Sequence, residues 1–583
     1  MTGRSEALTI ENPIAGPLPF GRGAAGRVKA TAPAILVGLS ACLLYALTIQ
    51  TREAHVDEYY HLIAGRSWIE NGSFAILEGS YQRARLFTII TAWSMDLFNR
   101  ADLVTARIPS VILTAATVAV IFAWLRQAGA RWGAMVGGAL FGLAGYTLDI
   151  AHFARFYALH TAMIVCAVAA LFIATRPQAT SRPAWLAAAA LCLAIAAHVQ
   201  PVTAIALVGA GTWLLCDQRA PMMHLFAREG RIALPALLLI GLAGAAFIGL
   251  FGAQAWSQFR HVERWAAASQ DEPLYYVREY FTQAPLMLLL WPVAVLTGWR
   301  RNPSLAALCV IMTGLCLLLH SFAGMKAWRY AFYSFPFLCM SYGLAFDAIL
   351  ARGATTPPKA WAIAAALFAL LLIGNPLYRY SAKLVLPHLA RVAKNPALVA
   401  APVPDGGWNQ ASGALHRLAA NEPLLVTGDD LRMLAHVGRF DIYISHSRLG
   451  ELDSPRDFSR DFRTGRPLVD SSAGMSAIID CNDRGLVIVS DSQWGNEMGV
   501  SPQVAQLIAR RTAAVRAPRG FHLFRWQHKA PRRTCPYARH AASKTPGPRP
   551  VLASTSPRWQ PGLPHQSCPS ATLGIAARSA GAA

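Results

Sequence analysis

Apolar residues in this sequence gather into runs of about twenty, the length at which a helix crosses a hydrocarbon core of about 30 Å. The runs lie near residues 31–50, 108–125, 132–150, 158–175, 184–198, 202–216, 232–253, 284–299, 303–323, 330–350 and 360–377. A soluble core has no use for so much apolar surface. With 54% hydrophobic and 14% charged residues and a mean hydropathy of +0.34, the chain reads as an α-helical polytopic membrane protein of about eleven transmembrane helices. Several runs are rich in Ala and Gly, which suits close approach of helix backbones within a bundle.

Orientation follows from the short basic connections. Arg4, Arg22, Arg27 and Lys29 precede the first run, and Arg126 with Arg131, Arg176 with Arg182, Arg219 with Arg228 and Arg231, Arg300 with Arg301, and Arg352 with Lys359 occupy every second connection. Under the positive-inside rule these face the cytoplasm, as does the N-terminal segment 1–30. The expected location is a bacterial inner membrane. The opposite connections then face the periplasm: a long first loop at 51–107, a turn at 152–157, a loop at 254–283 and a turn at 324–330. No cleavable signal is evident before the first run, which reads as an anchor.

The net charge of +22 comes from these loops and from a tail with no acidic residue after Glu497. Without aromatics interleaved on a basic soluble face, it does not point to nucleic acid. Cys42, Cys166, Cys192, Cys216, Cys309, Cys316 and Cys339 fall in apolar runs; Cys481, Cys535 and Cys568 lie outside them at no metal-ligand spacing. The membrane region, 31–377, gives way to a Pro-marked linker at 378–410. A small α/β soluble domain is expected at 411–527, with strands at 424–427, 441–445 and 486–490 and helices at 430–437 and 502–511. A basic Pro/Ser-rich tail at 528–583 reads as disordered.

Chemistry concentrates after the first run, in His55-Val56-Asp57-Glu58-Tyr59-Tyr60-His61. A carboxylate in an outward loop beside the membrane occupies a partly dry site, where it can act as general base for a hydroxyl. The simpler reading is a helix N-terminus capped by acidic residues. The flanking aromatics and histidines, and the amphipathic stretch 86–98, favour a site. Arg155, Lys326 and Arg329, in the outward turns, could hold a phosphate or merely reach lipid headgroups. The isolated His152, His198 and His320 read as structural. No GxxxxGK[ST] loop supports ATP-driven transport, and Thr427-Gly428-Asp429-Asp430 reads as a strand end and turn.

The order of first helix, Asp57-Glu58, interfacial helix and Ala106-Arg107-Ile108-Pro109-Ser110 opening the second helix resembles the C-type (GT-C) glycosyltransferase superfamily. The likeness is strongest to the branch of protein mannosyltransferases and lipid A aminoarabinose transferases. Ala154-Arg155-Phe156-Tyr157-Ala158-Leu159 and Lys326-Ala327-Trp328-Arg329-Tyr330 are similar to that family's external segments, and the resemblance spans roughly residues 31–350. It implies a polyprenyl-phosphate sugar donor, Asp57 as catalytic base and Glu58 as the second acidic position, orienting the acceptor or a cation. Arg155, Lys326, Arg329 and Arg83 would bind the donor phosphate, and His55, Tyr60, Tyr157 and Tyr330 would line the pocket. Arg107 fits the pattern too, although Pro109 beside it suits a structural role at the helix start. Gln82-Arg83-Ala84-Arg85-Leu86 departs from the family by lacking prolines, which leaves the acceptor undefined.

The expected activity is sugar transfer, with inversion, to an acceptor hydroxyl on the periplasmic face, the acceptor being a lipid, glycan or protein. No cofactor is required, although Asp57, Glu58 and a histidine could hold a divalent metal. The alternative is a transporter or flippase of a lipid-linked saccharide, which would place ionisable groups at mid-membrane on broken helices. A membrane scaffold built around the C-terminal domain is the third reading.

Overall fold

The computed structural model describes residues 24–176, 179, 181–218, 272–322, 326–352, 357–450 and 457–528. The expected run at 232–253, most of the loop at 254–283, Arg219, Arg228, Arg231, Cys535, Cys568 and the tail from 529 lie outside the described residues.

Within them the chain is a multi-pass helical membrane protein. The first helix is α1 (Ala24–Leu47), whose apolar part runs from Thr31 to Leu47. The first loop carries α2 (Glu58–Asn71), a hairpin of β1 (Ala75–Ile76) and β2 (Gly79–Ser80), and α3 (Arg85–Leu97). Spans continue as α4 (Leu103–Gln127), α5 (Arg131–Gly142) with α6 (Gly145–Ala151), α7 (Tyr157–Ala174), α8 (Arg182–Val199) and α9 (Thr203–Asp217). Then follow α10 (Tyr275–Gln283) with α11 (Pro285–Trp299), α12 (Pro303–Ser321), α13 (Trp328–Ala351), and α14 (Pro357–Gly374) with α15 (Pro376–Lys394). Ten of the eleven expected runs appear as apolar helices, and three helix pairs are sharply bent: α5 to α6 by 64°, α10 to α11 by 100° and α14 to α15 by 79°.

Two expectations change in detail. The second membrane helix opens at Leu103, ahead of the Ala106–Ser110 motif, because Asp102 and Thr105 form a reciprocal capping box. Pro109 is therefore inside α4, where it cannot donate to the Thr105 carbonyl. Ser94 Oγ fills that vacancy at 2.8 Å. The expected linker at 378–410 is also largely helical: Pro376 opens α15, which exposes Arg379, Lys383, Arg391 and Lys394 and buries Tyr378, Ser381, His388 and Val392.

The C-terminal domain is α/β as read. It contains α16 (Trp408–Ala420), β3 (Leu425–Thr427), α17 (Asp430–His436), β4 (Ile442–Ile444), β5 (Ser459–Arg460), β6 (Pro467–Val469) and α18 (Ser472–Cys481). β7 (Arg484–Ser490), α19 (Pro502–Arg511), β8 (Ala513–Ala514) and β9 (Phe521–Gln527) complete it. The sheet order is β5-β6-β4-β3-β7-β9-β8, parallel through β6-β4-β3-β7, with antiparallel edges.

Small residues set the helix spacing in the membrane. A Cβ built on Gly133 of α5 would lie 2.1 Å from the Gly343 carbonyl oxygen of α13, whereas one on Gly138 meets nothing nearer than 3.8 Å. Gly133→Ala is expected to lower the stability of the purified protein by about 1–3 kcal/mol through overpacking. Gly138→Ala should be neutral or stabilising. Thermal unfolding in detergent compares the two.

Candidate active site

The site is built around a division of labour between two adjacent carboxylates. Helical geometry turns successive side chains by about 100°, so Asp57 and Glu58 cannot share one environment. Glu58 points inward and is fully buried. Its Oε1 accepts from Arg107 Nη2 at 2.7 Å and from the His55 amide at 2.9 Å. Its Oε2 accepts from Arg107 Nε at 2.8 Å and from the Ala154 amide at 2.9 Å.

Arg107, also wholly buried, spends its other hydrogens on the carbonyls of Ile49, Arg52 and Glu53. A buried, bidentate, fully hydrogen-bonded pair thus ties the end of α1, the start of α2, α4 and the turn before α7 into one unit.

Asp57 precedes α2 without capping it: its side chain accepts no hydrogen bond from the first turn. Its carboxylate is 20% exposed, with Arg155 Nη2 3.6 Å and His55 Nδ1 3.7 Å from Oδ2. Burial would raise its pKa, but Arg155, then His55, Arg329 and Arg83, more than offset that and hold it down at about 2. His55 is itself shifted below its ordinary value by burial, against the pull of Asp57.

Arg155 is buried and fixed by the Asp57 carbonyl at 3.1 Å and the Tyr81 hydroxyl at 2.9 Å. Its guanidinium lies over Tyr60, Tyr81 and Phe156. Arg83 stacks on Phe156 at 4.9 Å and donates to Gln200. Beside it Ala84 takes a left-handed conformation, φ +50°, strained for a residue with a Cβ. Arg329 lies against Tyr330, whose ring is 6.0 Å from that of Tyr157. Lys326 is buried on the same segment, three residues before Arg329. The structure therefore brings Arg83, Arg155, Arg329 and His55 around Asp57, with Tyr157 and Tyr330 beside Arg329. Glu58 faces the protein interior instead.

Sequence reasoning missed the part played by the C-terminal domain. Arg463 donates to the Tyr60 hydroxyl and pairs with Asp430 at 2.8 Å and Asp461 at 2.9 Å. Tyr60 stacks on Tyr81 with ring centroids 4.9 Å apart, and Tyr81 holds Arg155. The Thr464 carbonyl accepts from the amides of Glu78 and Gly79, and a Cβ on Gly79 would strike the Arg463 backbone. His436 meets Tyr59 at 3.4 Å and Asp405 at 3.1 Å, which fastens α17 to α2. Nothing in the local sequence around Arg463 announces a partner some four hundred residues away. Among the described residues no group of three or more His, Cys, Asp or Glu side chains is gathered as a metal site.

This bundle, with its first-loop site roofed by an α/β domain, has the fold of the C-type glycosyltransferases. It is similar to ArnT from Cupriavidus metallidurans in the apo state, with a TM-score of 0.55 and 14% identity over 85% of this chain and 98% of that one. The same coverage holds against that protein bound to undecaprenyl phosphate, with a TM-score of 0.52 and 13% identity. The Archaeoglobus fulgidus oligosaccharyltransferase tethered to an acceptor peptide follows at 0.47 and 13%, over 70% of this chain and 63% of that one. No protein-family model matches the chain, and no curated protein sequence matches it.

Removing one partner of a buried ion pair strands the other, at a cost of about 3–5 kcal/mol. Glu58→Ala is expected to lose that much stability or fail to fold, while Asp57→Asn should yield folded protein. Thermal unfolding with size-exclusion profiles separates the two carboxylates.

Proposed function

We propose that this chain is a membrane glycosyltransferase that moves a sugar from a polyprenyl-phosphate donor to an acceptor hydroxyl, at the outward face of a bacterial inner membrane. The observation that carries this reading is a partly exposed carboxylate ringed by three arginines in the first outward loop, on a fold shared with a protein solved with undecaprenyl phosphate. The arginines suit a lipid-linked phosphate, and Asp57 suits the acceptor.

In the proposed step the acceptor oxygen attacks the anomeric carbon and its proton passes to Asp57. The bond from that carbon to the phosphate oxygen breaks on the opposite face, so configuration inverts. The lipid phosphate departs as a monoester whose added charge is met by Arg155, Arg329 and Arg83. Lys326 would contribute further positive charge from the same segment as Arg329. Tyr60, Tyr157, Tyr330 and His55 would shape the sugar pocket, and Glu58 would serve as scaffold. The acceptor hydroxyl, on a lipid, glycan or protein, would approach on the side of the C-terminal domain, placed here in the periplasm.

With its pKa held near 2 by the surrounding cations, Asp57 is ionised but weakly basic. A bound phosphate draws on the same Arg155 and adds negative charge, which raises the carboxylate's basicity when the donor is present.

Transfer of radiolabelled sugar from a panel of polyprenyl-phosphate donors tests the reading. Asp57→Asn should cost at least about 100-fold in rate, the scale of general-base catalysis, with donor binding retained. Unchanged transfer overturns the assignment of the base. Labelled lipid that crosses the bilayer in wild type without transfer to any acceptor means a transporter.

The pH dependence has a definite sign. Protonating the base stops the reaction, so rate falls as pH falls. The acid limb of kcat/KM, which reports the free enzyme, should stay flat from pH 7 down to about pH 5. The acid limb of kcat should lie at higher pH than that of kcat/KM, and coincident limbs would contradict the coupling.

A further inference from the structure

His61 lies one helical turn after Asp57, on the same face of α2, and is fully buried. Its ring is set edge-on against Tyr81, Phe87 and Phe156. Two of those rings, Tyr81 and Phe156, also carry the Arg155 guanidinium, and Arg83 stacks on Phe156. The imidazole is thus embedded in the wall of the cationic pocket.

One ring nitrogen is accounted for: Nδ1 lies 2.9 Å from Thr88 Oγ1. The other, Nε2, is buried with no hydrogen-bond partner among the described residues. The Nε of Arg155, whose guanidinium shares the Tyr81 and Phe156 rings with His61, is likewise without a partner. Native proteins rarely leave buried donors unmet, so an unpartnered imidazole nitrogen beside the rings that carry Arg155 marks a place where something else accepts.

The Thr88 hydroxyl fixes which nitrogen of His61 carries the hydrogen. Thr91, three residues on, donates its hydroxyl to the Phe87 carbonyl at 2.9 Å. Thr88 makes no such bond among the described residues, and His61 Nδ1 is the acceptor within its reach. Thr88 therefore donates to Nδ1, and the hydrogen of the imidazole sits on Nε2.

The geometry points to His61 as a direct ligand of the lipid-linked phosphate, with its Nε2–H donating to a phosphate oxygen alongside Arg155 and Arg329. Burial, reinforced by the charges of Arg155 and Arg83, keeps the ring's pKa well below its ordinary value, so the donor is uncharged. An uncharged donor suits this position. It adds a directional hydrogen bond without adding to the repulsion among the arginines, and its neighbour Asp57 stays free to accept a proton. The ligand chemistry is an oxyanion whose non-bridging oxygens accept several N–H donors between them, which a phosphate ester supplies and a neutral glycoside does not. This inference rests on the reading of the pocket as a phosphate site.

The test is the affinity of the full-length protein in detergent for a short-chain polyprenyl phosphate, with the corresponding polyprenol as the phosphate-free control. His61→Phe should bind the phosphate at least about tenfold more weakly, or about 1.4 kcal/mol, with polyprenol binding unchanged. His61→Gln, which can restore an N–H, should stay within about threefold of wild type. Thr88→Val keeps the imidazole but releases its tautomer, and should weaken phosphate binding severalfold. Wild-type affinity in both His61→Phe and Thr88→Val overturns the assignment of His61 while leaving the phosphate site in place. Failure of the wild type to prefer the phosphate over the alcohol overturns the phosphate site itself. If His61→Phe does not fold, Thr88→Val and His61→Gln decide: unchanged affinity in the former, or a loss in the latter as large as that of Arg155→Ala, counts against the proposal.

Discussion

Everything near the site depends on where the Glu58 carboxylate ends its four hydrogen bonds. Burying that charge is costly unless every lone pair is met, and here Arg107 and two backbone amides meet them. The result is a rigid joint between the end of α1, the start of α2, α4 and the turn at Ala154. Because Ala154 is held by Glu58, the next residue, Arg155, is delivered to the other side of the same turn, where it faces Asp57. The catalytic proposal for Asp57 is therefore inseparable from a carboxylate that has no access to substrate. Adjacent acidic residues meet different surroundings, one buried and paired and one partly exposed, because a helix turns them apart.

The C-terminal domain belongs to this arrangement. Arg463 carries its charge between two buried aspartates and still reaches Tyr60, and the stacked Tyr60 and Tyr81 form the wall against which Arg155 rests. The chain from Asp430 through Arg463, Tyr60 and Tyr81 to Arg155 places the α/β domain in mechanical contact with the site. That contact places the domain on the same side of the bundle as the first loop.

Much of the fold was legible in the sequence because lipid enforces it. A run of apolar residues near twenty has few ways to satisfy its backbone other than a helix, and ten of the expected runs are helical. The bends were not legible: the break between Gly142 and Gly145 interrupts a run that reads as continuous. Nor was the helix at the start of the Pro-marked linker legible: of the prolines at 387, 396, 402 and 404, Pro387 is exposed within α15 and is tolerated there.

At the site, Asp57, Arg155 and Arg329 stood out by residue type and by position in outward loops. The partition of roles between Asp57 and Glu58 required knowledge of what lay opposite each. His61 was visible as a neighbour of the pair, and its spacing of four from Asp57 was the available signal. Its orphan nitrogen was not, since that depends on Thr88 in another helix. Arg463 was illegible for the same reason at greater distance.

The measurement that bears most directly on the central claim is an experimental structure of the full-length protein with a polyprenyl phosphate bound. The phosphate oxygens should accept from Arg155 and Arg329 within hydrogen-bonding distance, with Asp57 released from Arg155 and facing the opening of the pocket. A lipid phosphate seated elsewhere, with the pair between Asp57 and Arg155 intact, would contradict the assignment of both the phosphate site and the base.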